Sequence, residues 1–211
     1  MNHDHVAFEK PEEIVRHHEA PPPDGQSAWV GQYRPRGDIR VVDPDPAWPE
    51  SFAVLAARVR AALGDGALVV EHIGSTAVAG LPAKPIIDIS LIVADSADET
   101  AYVPALERAG FRLVIREPWW HEHRCLVHGD PKCNLHVFSP EAPEPVRQRI
   151  FRDWLRAHPE DLALYRDCKL AAAAASNEAG EHVMDYNARK QQVIREIYDR
   201  AFRAAGLLPQ Q

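Results

Sequence analysis

The stretch Glu71-His72-Ile73-Gly74-Ser75-Thr76, followed twelve residues later by Asp88 within Ile86-Ile87-Asp88-Ile89, decides how the rest of the chain is read. A glycine and two hydroxyl residues at the end of an apolar run let backbone N–H groups approach a phosphate. A carboxylate on a neighbouring strand can hold the metal ion bound to that phosphate. The spacing fits a nucleotide site. Gly74-Ser75-Thr76 also reads as an ordinary strand-to-helix turn with a hydroxyl cap.

Outward from this stretch, residues 67–73 and 86–93 are short β-rich apolar runs, joined by a segment with Gly80, Pro82 and Pro85. A strand, a tight crossing segment and a second strand is the simplest reading. Residues 39–42 can form a short strand, and Asp43-Pro44-Asp45-Pro46 sets up a helix start near Pro49. Phe52, Leu55, Ala56, Val59 and Leu63 then recur at helical steps and form one apolar stripe. Residues 101–109 read as a helix and 111–115 as a strand, interrupted by Pro118-Trp119-Trp120. Residues 124–128 and 133–138 flank Gly129-Asp130-Pro131-Lys132 as a hairpin in which Cys125 faces His136, Val127 faces Asn134 and His128 faces Cys133. From Ser139 onward the pattern is helical. The fold class expected is α/β (α+β): a mixed sheet flanked by helices, with a core over 39–139, a helical part over 140–204 and a tail over 205–211. Residues 1–38 carry several prolines and histidines and predict a loosely attached arm.

The composition excludes several classes. In 211 residues, 45% are apolar and 26% charged, as in a packed globular protein rather than a disordered one. No apolar run approaches the roughly 20 residues of a membrane span, and the first residues lack the basic and apolar segments of a secretory signal, so a cytoplasmic protein is expected. Three cysteines offer no disulfide framework and suit a reducing compartment. A net charge of −7 argues against nonspecific nucleic-acid binding, while a local basic patch can still hold phosphates.

The run from His72 to Asp88, His-Ile-Gly-Ser-Thr-Ala-Val-Ala-Gly-Leu-Pro-Ala-Lys-Pro-Ile-Ile-Asp, resembles the signature of the GrpB family, a branch of the nucleotidyltransferase superfamily. Asn134-Leu135-His136-Val137, the segment Phe151-Arg152-Asp153-Trp154-Leu155-Arg156-Ala157-His158-Pro159, and the pairs Tyr165 with Lys169 and Tyr186 with Lys190 follow the same family in order. The resemblance covers about residues 39–204. It implies a nucleotidyltransferase-like sheet, and a similar domain stands behind the kinase in some actinobacterial dephospho-CoA kinases. No settled reaction comes with it.

In the superfamily, Gly-Ser, an acidic pair two residues apart and a third acid on a later strand hold two metal ions for phosphoryl transfer. Gly74, Ser75 and Asp88 match, whereas position 90 is Ser90 and the later strand offers His136. One carboxylate, a serine and an imidazole neutralise two cations poorly. The resemblance thus implies Asp88, Ser75 and His136 as catalytic candidates, with Asp88 and His136 as ligands of a divalent metal (Mg or Mn) or a softer ion. His72, Gly74, Ser75, Thr76, Lys84, Arg152, Arg156, Lys169 and Lys190 are the candidates for holding a nucleotide or other phosphate-bearing small molecule.

Plainer readings stand beside these. Asp88 can simply be neutralised by Lys84 or Arg124. His72 and His136 can be satisfied core histidines. Arg152 and Arg156, one turn apart, can be a solvated face. His121, His123, Cys125, His128, Cys133 and His136 crowd into sixteen residues, but the hairpin register scatters them over both faces, against a zinc site. Two functions survive: nucleotidyl or phosphoryl transfer on an unknown substrate, and a degenerate fold that binds a nucleotide, a CoA-like ligand or a protein without chemistry.

Overall fold

The computed structural model of the chain describes residues 11–17, 22–33 and 39–210. Its centre is a five-stranded sheet in the order β1-β2-β5-β4-β3, with β1 Val69–Ile73, β2 Ile87–Ile92, β3 Arg112–Glu117, β4 His123–Gly129 and β5 Lys132–Phe138. The pair β2 and β5 is parallel, and the other pairs are antiparallel. The expected mixed sheet flanked by helices is what forms.

Period-two alternation sorts the two central strands. Ile87, Ile89 and Leu91 on β2, with Cys133, Leu135 and Val137 on β5, are buried in one apolar cluster. Alternate side chains of a strand point to opposite faces, so Asp88 and Ser90, with their register partners Asn134 and His136, share the other face. The apolar face is covered by α2 Trp48–Leu63 and α3 Val103–Arg108, whose Leu55, Ala56, Val59 and Leu106 are almost fully buried. The polar face turns toward α4 Pro143–Ala157, α5 Pro159–Glu178 and α6 Val183–Ala204. None of the helices among the described residues is long and apolar enough to cross a membrane.

The hairpin register matches the expectation: Cys125 pairs with His136, Val127 with Asn134 and His128 with Cys133. Three other expectations change. The segment between β1 and β2 turns the chain back rather than across, and the two strands pair antiparallel. It contains a short 3-10 turn, Ser75–Ala77, entered through Gly74. Residues 39–42 form no strand; Val42 makes a single bridge to Ala83. The prolines of Asp43-Pro44-Asp45-Pro46 lack the N–H groups a ladder needs.

The arm is docked where it is described; residues 1–10, 18–21 and 34–38 lie outside the described residues. The short α1, Pro11–Val15, buries Ile14 against Tyr198 and Phe202. The Arg147 guanidinium donates to the carbonyls of Ile14 and Arg16. Trp29 bridges Ile115 and so lengthens the sheet edge at β3. Burial of one isoleucine and satisfaction of one guanidinium overcome the loop-forming composition.

Ile39, 4% exposed, is held by the Asn177 side chain of α5, which accepts from its N–H at 2.9 Å and donates to its carbonyl at 3.0 Å. Removing both partners of buried backbone groups costs about 1–3 kcal/mol. Asn177→Ala is therefore expected to lower the urea midpoint by that amount of stability without changing the slope. An unchanged midpoint would show that this clamp carries no weight.

Candidate functional site

Where the polar face of the sheet meets the three C-terminal helices, a cavity of about 370 Å³ opens. That volume lies within the range of small-molecule sites. Gly74, Ser75 and Thr76 form one wall, Asp88, Asn134 and His136 the floor, and Lys84, Arg152, Lys169 and Lys190 surround it with Tyr165 and Tyr186.

The first wall depends on the glycine. Gly74 has φ 67°, in the left-handed region, and a Cβ built on it would lie 2.6 Å from Asp88 Oδ2. Only glycine allows the chain to turn this close to the carboxylate. Thr76 Oγ1, 3.0 Å from His72 Nε2, is buried and lies 3.4 Å from the Ile86 carbonyl, to which it donates. Ser75 and Tyr165 both line the cavity.

Asp88 accepts from Asn134 Nδ2 at 2.8 Å and lies 3.9 Å from His136 Nε2. Burial alone would raise its carboxyl, but the neighbouring His136 ring, the Asn134 amide that donates to it and the Lys84 charge hold it below the ordinary carboxylate range. Arg124, one of its expected partners, is instead held by Glu99 at 2.5 Å and by Glu122 at 3.2 Å. Glu71, on the same sheet face, stands opposite Ser90 and is paired with Arg149 at 3.0 Å. Ser90 Oγ is buried with no hydrogen-bond partner.

His136 belongs to a longer chain of contacts. Its Nδ1 lies 3.0 Å from His123 Nε2, and His123 Nδ1 lies 2.7 Å from Glu117 Oε2. Burial lowers the His123 pKa to about 4, so its ring is neutral near pH 7. A neutral ring that donates from Nδ1 to a carboxylate must accept at Nε2. His136 accordingly donates from Nδ1 and turns Nε2 toward Asp88 and the cavity. The signal for this was visible in the sequence as the His-rich hairpin, but the partner Glu117 comes from β3.

The lysines are the dominant charges. Lys169 is 2% exposed and Lys190 7% exposed, and among the described residues none of Lys84, Lys169 and Lys190 has a carboxylate partner. Lys190 Nζ lies 3.9 Å from the Tyr186 ring centroid, Lys84 Nζ 5.8 Å from the same centroid, and Lys169 Nζ 5.2 Å from the Tyr165 centroid. Spacing of four residues on α5 and on α6 places each aromatic beside its ammonium. Burial, then the charge of Lys190, lowers Lys169 to about 7. Burial, then the charge of Lys84, lowers Lys190 to about 8. Burial also lowers Lys84, against the opposing pull of Asp88.

Two sequence candidates lie elsewhere. The His72 ring is on the apolar face of the sheet, stacked on Phe52 at 4.7 Å between centroids, and burial lowers its pKa to about 4. It touches the site only through Thr76. Arg156 does not line the cavity, because its guanidinium donates to the Ala77 carbonyl at 2.7 Å. Arg152 reaches the wall, but donates to the His72 carbonyl at 2.9 Å and to Asp153 at 2.7 Å. Both arginines clamp the backbone of the Gly74 loop. Asn134 and Gln148 were missed as site residues; Gln148 lines the cavity with a buried, unpartnered Oε1.

The implied pair of divalent ions fits this donor set poorly. Hard cations need several oxygen ligands, usually with more than one carboxylate. Among the described residues the cavity offers Asp88 alone, already bonded to Asn134, and faces it with three lysines. The described residues hold no group of three or more His, Cys, Asp and Glu side chains placed to share an ion.

The family model described as GrpB protein matches residues 38–200. A UPF0157 protein of Halalkalibacterium halodurans is 47% identical over 177 residues, 83% of this chain and 89% of that protein. A UPF0157 protein of Pseudomonas aeruginosa is 38% identical over 79% of this chain and 69% of that protein. A dephospho-CoA kinase of Mycolicibacterium paratuberculosis is 30% identical over 79% of this chain, which spans 47% of that protein. The crystal structure of a conserved protein GrpB from Enterococcus faecalis superposes with a TM-score of 0.66 at 28% identity, covering 77% of this chain and 99% of that one.

A lysine whose folded pKa is depressed binds fewer protons folded than unfolded between its two pKa values. For Lys169 that window runs from about 7 to 10.5, so its penalty is full below pH 7 and is relieved as pH rises. Thermal unfolding of the ligand-free protein is expected to move upward from pH 7 to pH 9. Lys169→Met should flatten that rise and stabilise the protein at pH 7 by about 1–4 kcal/mol, the range seen when buried ionic groups give way to apolar ones. A destabilised Lys169→Met would mean the ammonium is compensated.

Proposed function

Because the chain belongs to the GrpB family and folds around this basic cavity, we propose that it binds a nucleotide-type, phosphate-bearing small molecule there and transfers its phosphoryl or nucleotidyl group. The observation that carries this reading is the convergence of Lys84, Lys169 and Lys190 on the Gly74-Ser75 turn with no carboxylate partner of their own. Buried charge without a partner is costly, and a bound polyphosphate supplies the missing countercharge. Charge-assisted contacts from ammonium groups to phosphate oxygens are among the stronger hydrogen bonds. Phosphoryl transfer itself asks for little beyond positioning and charge stabilisation of this kind.

In the catalytic form of the reading, His136 Nε2 takes the proton of an acceptor hydroxyl as that oxygen attacks phosphorus. His123 orients the His136 ring through Nδ1, and Asp88, 3.9 Å from Nε2, stands beside the acceptor. The lysines hold the negative charge on the transferred group and on the leaving group. A second reading, ligand binding without chemistry, is favoured by the loss of the second acid: Ser90 stands where it belongs, and Glu71 is drawn to Arg149. The likeness to a dephospho-CoA kinase adds CoA-type molecules to the ligands to be tried, without carrying that kinase's activity to this chain.

A thermal-shift panel of the four common nucleoside triphosphates, CoA and dephospho-CoA tests the reading. A ligand at 100 times its Kd adds about 2.7 kcal/mol, so at least one should raise the melting temperature by several degrees. Lys190→Met should abolish the shift. If a ligand binds, incubation with candidate hydroxyl acceptors and phosphorus NMR separates the two forms: a product that wild type makes and His136→Ala does not supports transfer. Binding without product supports the second form, and absence of any shift removes the proposal.

A further inference from the structure

Resting on the ligand class just argued, we propose that the cavity takes its polyphosphate as the uncomplexed anion, with Lys84, Lys169 and Lys190 standing in for the divalent ions that a nucleotidyltransferase-like site is expected to use. Three observations carry it.

The first is the shortage of metal-binding oxygen. Among the described residues Asp88 is the one carboxylate lining the cavity, and one of its oxygens already accepts from Asn134 at 2.8 Å. Glu71, on the same sheet face, is turned to Arg149 at 3.0 Å. A Mg²⁺ ion brought here would exchange water for one shared carboxylate, which hard cations do reluctantly.

The second is the excess of groups that carry or can take up positive charge. Lys169 feels the charge of Lys190 and Lys84, and Lys190 that of Lys84, against the single opposing charge of Asp88. A cation entering among them is repelled, whereas an anion is attracted to all three. A triphosphate chain carries its greatest charge free of metal, so complexed Mg²⁺ would weaken the attraction the lysines provide.

The third is that, among the described residues, Asp88 is the one anionic group in the cavity set against these three lysines, and it forms no close ion pair with any of them. Tyr165 and Tyr186 lie beside the ammonium groups, and cation–π contact eases but does not remove the cost of burying charge. Arg152, the remaining cation on the wall, is already engaged by Asp153 and the His72 carbonyl. The lysines are thus the groups left to receive phosphate oxygens.

Titration calorimetry of the full chain with inorganic triphosphate and with ATP, in EDTA and in excess Mg²⁺, tests this. The expected result is binding in EDTA that is several-fold tighter than in Mg²⁺. It should come with net proton uptake near pH 8, because an anion beside Lys169 and Lys190 raises proton affinity. Lys169→Met should weaken binding in EDTA at least tenfold. Asp88→Asn keeps the shape and the Asn134 contact while removing the one negative charge, and should tighten it. Circular dichroism of both variants establishes that they are folded. Binding confined to the Mg²⁺ buffer, or lost in a folded Asp88→Asn, overturns the metal-free reading and leaves the phosphate-ligand reading standing. No binding by either probe in either buffer overturns both.

Discussion

Everything distinctive about this molecule depends on an alternation in two adjacent parallel strands. Ile87-Asp88-Ile89-Ser90-Leu91 and Cys133-Asn134-Leu135-His136-Val137 run in register, so every second residue of both strands falls on the same face. The face with Ile89, Leu91, Leu135 and Val137 is sealed beneath α2 and α3. The face with Asp88, Asn134 and His136 is left for the C-terminal helices to roof. A slip of one residue in either strand would put Asp88 or His136 into the apolar core, where an unpaired polar group costs several kcal/mol. The register is therefore fixed by the same burial that creates the site.

The C-terminal helices do two different jobs. Helix α4 secures the loop that follows β1: Arg149 pairs with Glu71, Arg152 donates to the His72 carbonyl and Arg156 to the Ala77 carbonyl. These contacts turn a short, irregular segment into a fixed wall. Helices α5 and α6 bring charge, through Tyr165 with Lys169 and Tyr186 with Lys190. Small residues on α5, Ala172 and Ala173, pack in the same cluster as Tyr186. The Ala-rich run thus serves the approach of α6 as well as helix formation.

Much of the fold was legible because it is local. Alternation gave β1, β2 and the hairpin, and the turn between β4 and β5 gave the register that sets Cys125 opposite His136. Gly74, Ser75 and Asp88 were legible together from their spacing, and the structure supplies the reason for the glycine: a Cβ at position 74 would lie 2.6 Å from an Asp88 oxygen. What was not legible depends on tertiary placement. Strand periodicity separates His72 from Glu71 but cannot say which of the two faces α2 will cover, and the stacking of His72 on Phe52 decides it. Arg152 and Arg156 have the spacing of a phosphate clamp, yet nearer backbone carbonyls take them. The link from Glu117 through His123 to His136 needs β3 beside β4, with its register shift between Leu113 and Ile115.

The two faces of the sheet also explain why such a site is tolerable. Burying like charges without partners works against folding, and a site built this way must draw its stability from elsewhere. The elsewhere is the opposite face, where Leu55, Val59, Ile89, Leu91, Leu106, Leu126, Leu135 and Val137 are all fully enclosed. Each such side chain contributes about 1.5–3 kcal/mol on burial. Because these eight side chains sit on the cavity's strands and covering helices but none of them lines it, the polar face can keep three lysines close together without loosening the sheet. The strain is held where a ligand can relieve it, so binding and stability are coupled through the same lysines rather than through a movement of the fold.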